Sequence, residues 1–81
     1  MEIKQLIGNR ILELRREKGL SQEALANIAE VDRTYMTGVE TGKRNISVQV
    51  LLKIIVALGS NYKDFFSHQS FGNGSKEKGK T

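Results

Sequence analysis

The chain has 81 residues, no cysteine and an apolar content of 38%, enough for one small domain with a single core. The absence of cysteine excludes a disulfide framework and a thiolate metal site, and it is compatible with a reducing cytoplasm. The longest apolar run, residues 50–58, is interrupted by Lys53 and is much shorter than the ~20 residues of a membrane span. The N-terminal sequence has no basic flank leading into a long apolar region, which argues against a secretory signal. We therefore expect a cytoplasmic protein with no membrane association.

The net charge of +4 is unevenly distributed along the chain. Half of the excess lies in residues 68–81, which contain three lysines and one glutamate. A basic chain is a candidate for nucleic-acid binding. Here the net charge is weak evidence, because half of the excess positive charge lies in the C-terminal segment. The arrangement of the charges is therefore more informative than their sum.

Helical periodicity begins near the N-terminus. In residues 2–18 the apolar positions follow one helical face, and Gly19 then favours the left-handed conformation that commonly ends a helix. Ser21 is a good N-cap for a second helix, which we expect to end near Ala29.

The third helix is predicted to begin after Asp32 and to run from Arg33 to about Thr41. It has few apolar residues for its length, so most of its surface must face water or a partner. Gly38 in its interior costs roughly 1 kcal/mol relative to alanine. Its presence suggests that some group approaches this face closely.

Two further helices complete an all-α pattern. Ser47 is predicted to cap a helix over residues 48–58, whose apolar side chains cover most of its circumference, as expected for a central buried helix. Asn61 is predicted to cap a short fifth helix over residues 62–67.

The last part of the chain differs from the rest in composition. From His68 onward the sequence is polar, glycine-rich and aperiodic. We therefore expect residues 1–67 to form one domain and residues 68–81 to be a disordered basic tail.

The exposed first turns of the third helix carry Arg33, Thr34, Tyr35 and Thr37. Arginine can donate two hydrogen bonds to guanine O6 and N7, and threonine can reach a polar base atom or a thymine methyl. Tyrosine can stack on a base or bond to the sugar-phosphate backbone. Taken alone, such a helix start is more often an ordinary solvated surface, so the prediction of base contacts depends on the surrounding framework.

Polar residues on either side of this helix are candidates for phosphate contacts. Gln22 lies in the first turn of the second helix, where its amide and the free backbone N–H groups can bind a phosphate. Lys43, Arg44 and Asn45 follow the third helix and are placed for the adjoining DNA backbone. The alternative for Lys43 and Arg44 is a solubilising loop.

These segments together resemble the DNA-binding domains of the lambda-repressor and Cro-like helix-turn-helix family, across roughly residues 3–67. The shared pattern is LeuArg–x3–GlyLeuSerGln–x2–LeuAla, then an apolar residue in the turn, then ValGluThrGlyLysArg. The resemblance implies a compact five-helix all-α domain in which the second and third helices form the helix-turn-helix. It also implies a phosphate contact by Gln22 and a salt bridge between Arg15 and Glu40. The positions that it implies face the bases are Arg33, Thr34, Thr37 and Gly38.

The stretch AspArgThrTyr–x–ThrGlyValGlu–x–Gly–x–ArgAsn is also similar to the controller proteins of restriction–modification systems, which are small homodimeric regulators. This similarity implies a sequence-specific transcriptional regulator that binds a two-fold symmetric operator as a homodimer. Candidates for the dimer interface are Tyr62, Phe65 and Phe66, although at least one of the phenylalanines is expected in the core. The alternative is an antitoxin-like or other protein-interaction module with the same fold.

The chain departs from the family pattern at two positions. Where the family often has glycine in the turn, this chain has Glu30, so a non-glycine residue has to accept a left-handed backbone at a cost of order 1 kcal/mol. Gly38 replaces what is often a long polar base reader. Either direct readout at this position is lost, or a closer approach of the helix places more of the specificity on Arg33, Thr34 and Tyr35.

The sequence contains no convincing catalytic, cofactor or metal site. The single histidine, His68, has no acid–base constellation around it. The glycines and lysine of residues 38–44 lack the spacing and hydroxyl residue of a phosphate loop, and Asp32 and Asp64 are better explained as helix-start residues than as metal ligands. We expect double-stranded DNA and a second copy of the chain as partners, and no small-molecule substrate.

Overall fold

The computed structural model describes residues 2–68 and residue 71, and this part of the chain contains five α-helices and no strand. The predicted helix ends agree with the structure to within one residue, and the all-α five-helix prediction is confirmed. The helices are α1 (Ile3–Glu17), α2 (Gln22–Ala29), α3 (Arg33–Glu40), α4 (Val48–Ala57) and α5 (Tyr62–Phe66).

Side-chain caps begin four of these helices. Ser21, Asp32, Ser47 and Asn61 each accept a hydrogen bond from the backbone N–H three residues later, at 2.8–3.1 Å. A cap of this kind contributes ~1 kcal/mol, because it satisfies a donor that has no partner within the helix. All four predicted caps are confirmed.

The turn between α2 and α3 passes through Glu30, which has φ 60° and ψ 46°. No other non-glycine residue in the described part of the chain has a positive φ, so the expected left-handed glutamate is confirmed. The turn is closed by a 2.9 Å hydrogen bond from the Val31 N–H to the Ala26 carbonyl. Val31 then packs against the core, which offsets the backbone cost at Glu30.

The core is built from side chains of all five helices. Helix α1 packs against α3, α2 packs against both α3 and α4, and α4 packs against α5. This arrangement holds α2 and α3 at a fixed angle and leaves one side of α3 open. The largest fully buried side chains are Ile11, Leu25, Met36, Val39, Ile54, Ile55, Leu58 and Phe65.

One face of α4 is exposed, although apolar residues around most of its circumference predicted a central buried helix. Val48, Leu52 and Val56 are 72%, 41% and 64% exposed. They are spaced four residues apart and therefore form a stripe along one side of the helix. Apolar residues around most of the circumference allow a helix to be buried, but they do not show how many neighbouring helices the fold packs against it.

Two residues of the predicted tail are described, and both contact the helical domain. The ring of Phe71 lies 4.9 Å from that of Phe66 and 6.2 Å from that of Phe65, measured between centroids. His68 Nε2 lies 3.6 Å from Glu13 Oε1. The packed domain therefore reaches beyond residue 67, while the remaining residues of the predicted tail, 69, 70 and 72–81, lie outside the described part.

Candidate nucleic-acid interface

The open side of α3 and the loop after it form one shallow, basic surface, which we call the α3 face. Three of its seven residues are basic and none is acidic. Along α3 they are spaced by one, three, one and three residues, so they follow a single side of the helix. The α3 face consists of Arg33, Thr34, Thr37, Gly38, Thr41, Lys43 and Arg44.

The orientation of this face follows from what α3 buries. Met36, Val39 and Glu40 point into the domain, and at 100° per residue the opposite side of the helix must face outward. Thr34 stands opposite these residues and is exposed, and Arg33 and Thr37, on the flank of the helix, are exposed as well. The structure therefore brings the predicted base readers Arg33, Thr34 and Thr37 together with Lys43 and Arg44, two of the predicted phosphate-binding residues.

Tyr35 lies beside the α3 face and does not line it. Its side chain is half-buried and packs against the core, and its hydroxyl donates a 3.3 Å hydrogen bond to the Asn45 carbonyl. The guanidinium carbon of Arg44 lies 5.0 Å from the centroid of the ring, a distance at which the cation–π attraction is worth about 0.5–1 kcal/mol for an exposed pair. Through these two contacts Tyr35 stabilises the loop after α3.

Gly38 allows Arg44 to lie directly against α3. A Cβ at Gly38 would stand 3.2 Å from Cγ and Cδ of Arg44. The backbone N–H groups of Lys43 and Arg44 both donate to the Gly38 carbonyl, at 2.9 and 3.1 Å. The close approach predicted at Gly38 is therefore the approach of Arg44, which brings its charge onto the same surface as Arg33.

Thr41 belongs to the α3 face but was not among the residues predicted from the sequence. Its hydroxyl donates to the carbonyls of Thr37 and Gly38, at 2.9 and 3.2 Å. The signal that identifies it is its position, four residues after Thr37 and eight after Arg33, which places all three on one side of the helix.

The acid at the end of α3 is turned away from this surface by an ion pair. Arg15 donates from Nε to Glu40 Oε2 at 2.7 Å and from Nη2 to Glu40 Oε1 at 3.0 Å, and the Glu40 side chain is only 4% exposed. The remaining guanidinium group, Nη1, donates to the Leu20 carbonyl at 2.9 Å. The pair that the family resemblance implies is thus present, and it ties α1 to the end of α3.

Gln22 connects this ion pair to the α3 face. Its amide Nε2 donates to Glu40 Oε1 at 3.0 Å, and its Oε1 accepts a 2.6 Å hydrogen bond from the Thr37 hydroxyl. A primary amide has two N–H donors, so one remains for the predicted phosphate contact. The first backbone N–H groups of α2 also lack acceptors within the helix.

The structure does not place all three predicted interface residues at the surface. Phe65 is completely buried, because a helix as short as α5 anchors itself to α4 through its inward side chain, and this excludes Phe65 from contacting a second copy. Phe66 is half-buried and lies edge-to-face on Phe65, with ring centroids 4.9 Å apart. Of the three, only Tyr62 is exposed, at 44%.

A larger exposed apolar surface lies on α4 and α2. We define the apolar stripe as Val48, Leu52 and Val56 of α4 together with Ile28 of α2. All four side chains are exposed, and Ile28, Leu52 and Val56 line one open depression between the two helices.

Residues 2–68 and 71 contain no cluster of three or more histidine, aspartate or glutamate side chains that could hold a metal ion. No helix in the same part of the chain is long and apolar enough to cross a membrane.

Comparison with known proteins places this geometry among helix-turn-helix proteins, whose family model matches residues 11–65. Control protein C.MunI of Mycoplasma sp is 45% identical over 67 residues, which covers 82% of this chain and 90% of the relative. Control protein C.BamHI of Bacillus amyloliquefaciens is 36% identical over 77 residues, which covers 94% and 95%.

Two solved structures are similar over most of the chain. The restriction–modification controller protein C.AhdI from Aeromonas hydrophila has a TM-score of 0.74 and 44% identity, and the match covers 78% of this chain and 96% of that one. The controller protein C.Esp1396I, solved as a tetramer in complex with its natural 35 base-pair operator, has a TM-score of 0.77 and 33% identity, covering 82% and 87%.

Proposed function

This chain belongs to the helix-turn-helix family, and we propose that within it the protein is a transcriptional regulator of the restriction–modification control type. It binds a two-fold symmetric operator as a homodimer and carries out no catalysis. The observation that carries the proposal is the α3 face, which is basic, open and free of carboxylates because Glu40 is paired with Arg15 inside the domain. The proposed site of action is the cytoplasm, because a regulator of this type must reach the DNA that carries its operator.

Direct reading of sequence is assigned to the exposed N-terminal half of α3. Arg33 stands at the first position of the helix, where its guanidinium can donate to O6 and N7 of a guanine in the major groove. Thr34 and Thr37 are short side chains on the same surface, so they allow α3 to approach the base edges closely. Tyr35 contributes indirectly, because it supports Arg44 and Asn45.

Binding to the DNA backbone is assigned to residues on both sides of α3. Lys43, Arg44 and Asn45 follow the helix and are exposed, and Gln22 lies at the N-terminus of α2 with one amide N–H unused. Such contacts fix the position of the protein on the duplex without reading sequence. Because they release counterions, they make the affinity fall steeply with salt concentration.

A homodimer can read a longer DNA site than a single domain can. A single recognition helix contacts only a few base pairs, and two copies bind half-sites one helical turn, about 34 Å, apart. The apolar stripe is the surface best suited to the contact, because exposed and contiguous apolar side chains commonly mark interfaces. Tyr62 remains a second candidate since it is also exposed.

Selection of bound duplexes from a random pool tests the proposal directly. The expected product is a sequence with two inverted half-sites, bound far more tightly than random DNA in a fluorescence anisotropy titration across a salt series. Arg33→Ala serves as the control variant, which should enrich a site that has lost its preference at one base pair of each half-site. Weak binding that is equal for all sequences would contradict the proposal and would indicate a protein-interaction module instead.

A further inference from the structure

A continuous chain of hydrogen bonds runs from α1 to the α3 face. Arg15 donates twice to Glu40, Gln22 Nε2 donates to Glu40 Oε1 at 3.0 Å, and the Thr37 hydroxyl donates to Gln22 Oε1 at 2.6 Å. This series of hydrogen bonds passes through the buried carboxylate of Glu40 and ends at the exposed side chain of Thr37, which faces the proposed DNA site. It therefore links the interior of the domain to a candidate base reader.

The direction of every bond in this chain is dictated by chemistry. A guanidinium has only donors, and a carboxylate has only acceptors. The amide of Gln22 must therefore present its NH₂ end to Glu40, since the reversed amide would place its oxygen against the carboxylate. The carbonyl Oε1 is then left facing Thr37.

The Thr37 hydroxyl has acceptors as both of its protein neighbours. Gln22 Oε1 lies 2.6 Å away, and the Arg33 backbone carbonyl lies 3.1 Å away. Neither oxygen can donate, so the single hydroxyl hydrogen points back to the protein whichever of them it bonds. The lone pairs of Oγ1 are all that remains for a partner on the outer side.

We propose that Thr37 is a specificity-determining residue that offers DNA an acceptor only and so selects an exocyclic amino group, adenine N6 or cytosine N4, at one position of each half-site. In the major groove these are the two donors, whereas guanine O6 and thymine O4 are acceptors. Thymine or guanine at that point would set a carbonyl oxygen against the lone pairs of Thr37. The inference rests on the proposed function, because it requires that α3 enter the major groove.

Gln22 and Glu40 act in this scheme as positioning residues. The Glu40 side chain is 4% exposed and held by a two-point ion pair, so water does not replace it as the partner of Gln22. A threonine without such a fixed neighbour can turn its hydroxyl to donate or to accept. The buried ion pair thus restricts what an exposed hydroxyl can recognise.

The test removes amino groups from the operator one at a time. In the operator obtained by selection, each adenine of a half-site is replaced by purine and each cytosine by pyrimidin-2-one, which lack N6 and N4. Dissociation constants are measured by anisotropy for the wild-type protein, for Thr37→Val, which has nearly the same shape but no hydroxyl, and for Thr37→Ser, which keeps the hydroxyl. Circular dichroism confirms that the variants are folded, as expected for substitutions at an exposed position.

At one position, loss of the amino group is expected to weaken binding of the wild-type protein and of Thr37→Ser roughly fivefold to tenfold. The same replacement should leave Thr37→Val unchanged. Two results would overturn the proposal. In the first, Thr37→Val binds every operator with the affinity of the wild-type protein. In the second, the base pair whose identity matters less to Thr37→Val than to the wild type is one at which a carbonyl or a methyl group is required, not an amino group. Failure of the proposed function is distinguishable, because it appears earlier, as the absence of any enriched site.

Discussion

Arg15 and Glu40 form a two-point ion pair across 25 residues of sequence, with donor–acceptor distances of 2.7 and 3.0 Å. Both side chains are largely removed from solvent. In this position the pair joins α1 to α3, removes the only acid of α3 from its outer surface, and orients Gln22. One interaction therefore affects stability, the charge of the DNA-binding surface and the direction of its hydrogen bonds.

Glu40→Ala should destabilise the domain by about 3–5 kcal/mol, because the substitution leaves the Arg15 guanidinium buried without its counter-ion. Thermal or urea unfolding followed by circular dichroism measures the change. Glu17→Ala, which removes an exposed carboxylate at the end of α1, is the control and should change the free energy of unfolding by less than about 0.5 kcal/mol. Equal effects of the two substitutions would show that the buried pair has no special role.

Arg33→Ala should weaken binding to the selected operator by about 1–3 kcal/mol and relax the preference at one base pair of each half-site, since a bidentate contact to guanine is lost. Arg33 is exposed, so unfolding temperatures should be unaffected. Competition titrations with operators changed at single base pairs locate the position. If discrimination between operator and random DNA survived the substitution, Arg33 would not be a base reader.

Lys43→Ala should weaken binding to all sequences similarly, because Lys43 is assigned to a phosphate. The slope of log K against log salt concentration should decrease by about 1 for each copy bound. Affinities for operator and random duplexes, measured at several salt concentrations, separate this behaviour from that of Arg33→Ala. A change confined to the operator would reassign Lys43 to base reading.

Local features of the sequence predicted the helices well. Each of the caps Ser21, Asp32, Ser47 and Asn61 acts on a backbone N–H three residues away, so the information lies within one helical turn. The left-handed Glu30 was instead anticipated from the family resemblance, because the family often has glycine at this position of the turn.

Features that depend on distant neighbours were predicted less well. The base contact of Tyr35 stays a prediction, but the hydrogen bond of its hydroxyl to the Asn45 carbonyl depends on the path of the loop after α3, which the sequence could not show. Phe65 and Phe66 are adjacent in a helix too short to show a periodicity, so the sequence could not tell which of them the core takes. Leu52 likewise could not be recognised as exposed, because the number of helices packed around α4 is a property of the whole fold.

Gly38→Ala should separate stability from DNA binding. Alanine is favoured over glycine in a helix by roughly 1 kcal/mol, and the three atoms nearest to the added Cβ all belong to the Arg44 side chain, at 3.2–3.3 Å. The free energy of unfolding should therefore stay the same or rise, while displacement of Arg44 weakens operator binding. In a double-mutant cycle with Arg44→Ala the losses in affinity should be less than additive. Fully additive losses would mean that Gly38 affects DNA binding independently of Arg44.

Val56→Glu should convert the dimer to a monomer, because the substitution places a charge within the apolar stripe, where a second copy would have to desolvate it. Val56 is well exposed on the isolated domain, so the monomer should remain folded. Sedimentation velocity over a range of protein concentrations measures the association.

Ile3→Glu, at an exposed apolar residue outside the stripe, is the matched control and should leave the dimer intact. Tyr62→Ser tests the surface of α5. A dimer that survived Val56→Glu but dissociated with Tyr62→Ser would move the interface to α5, since the two substitutions change different helices of the same folded domain.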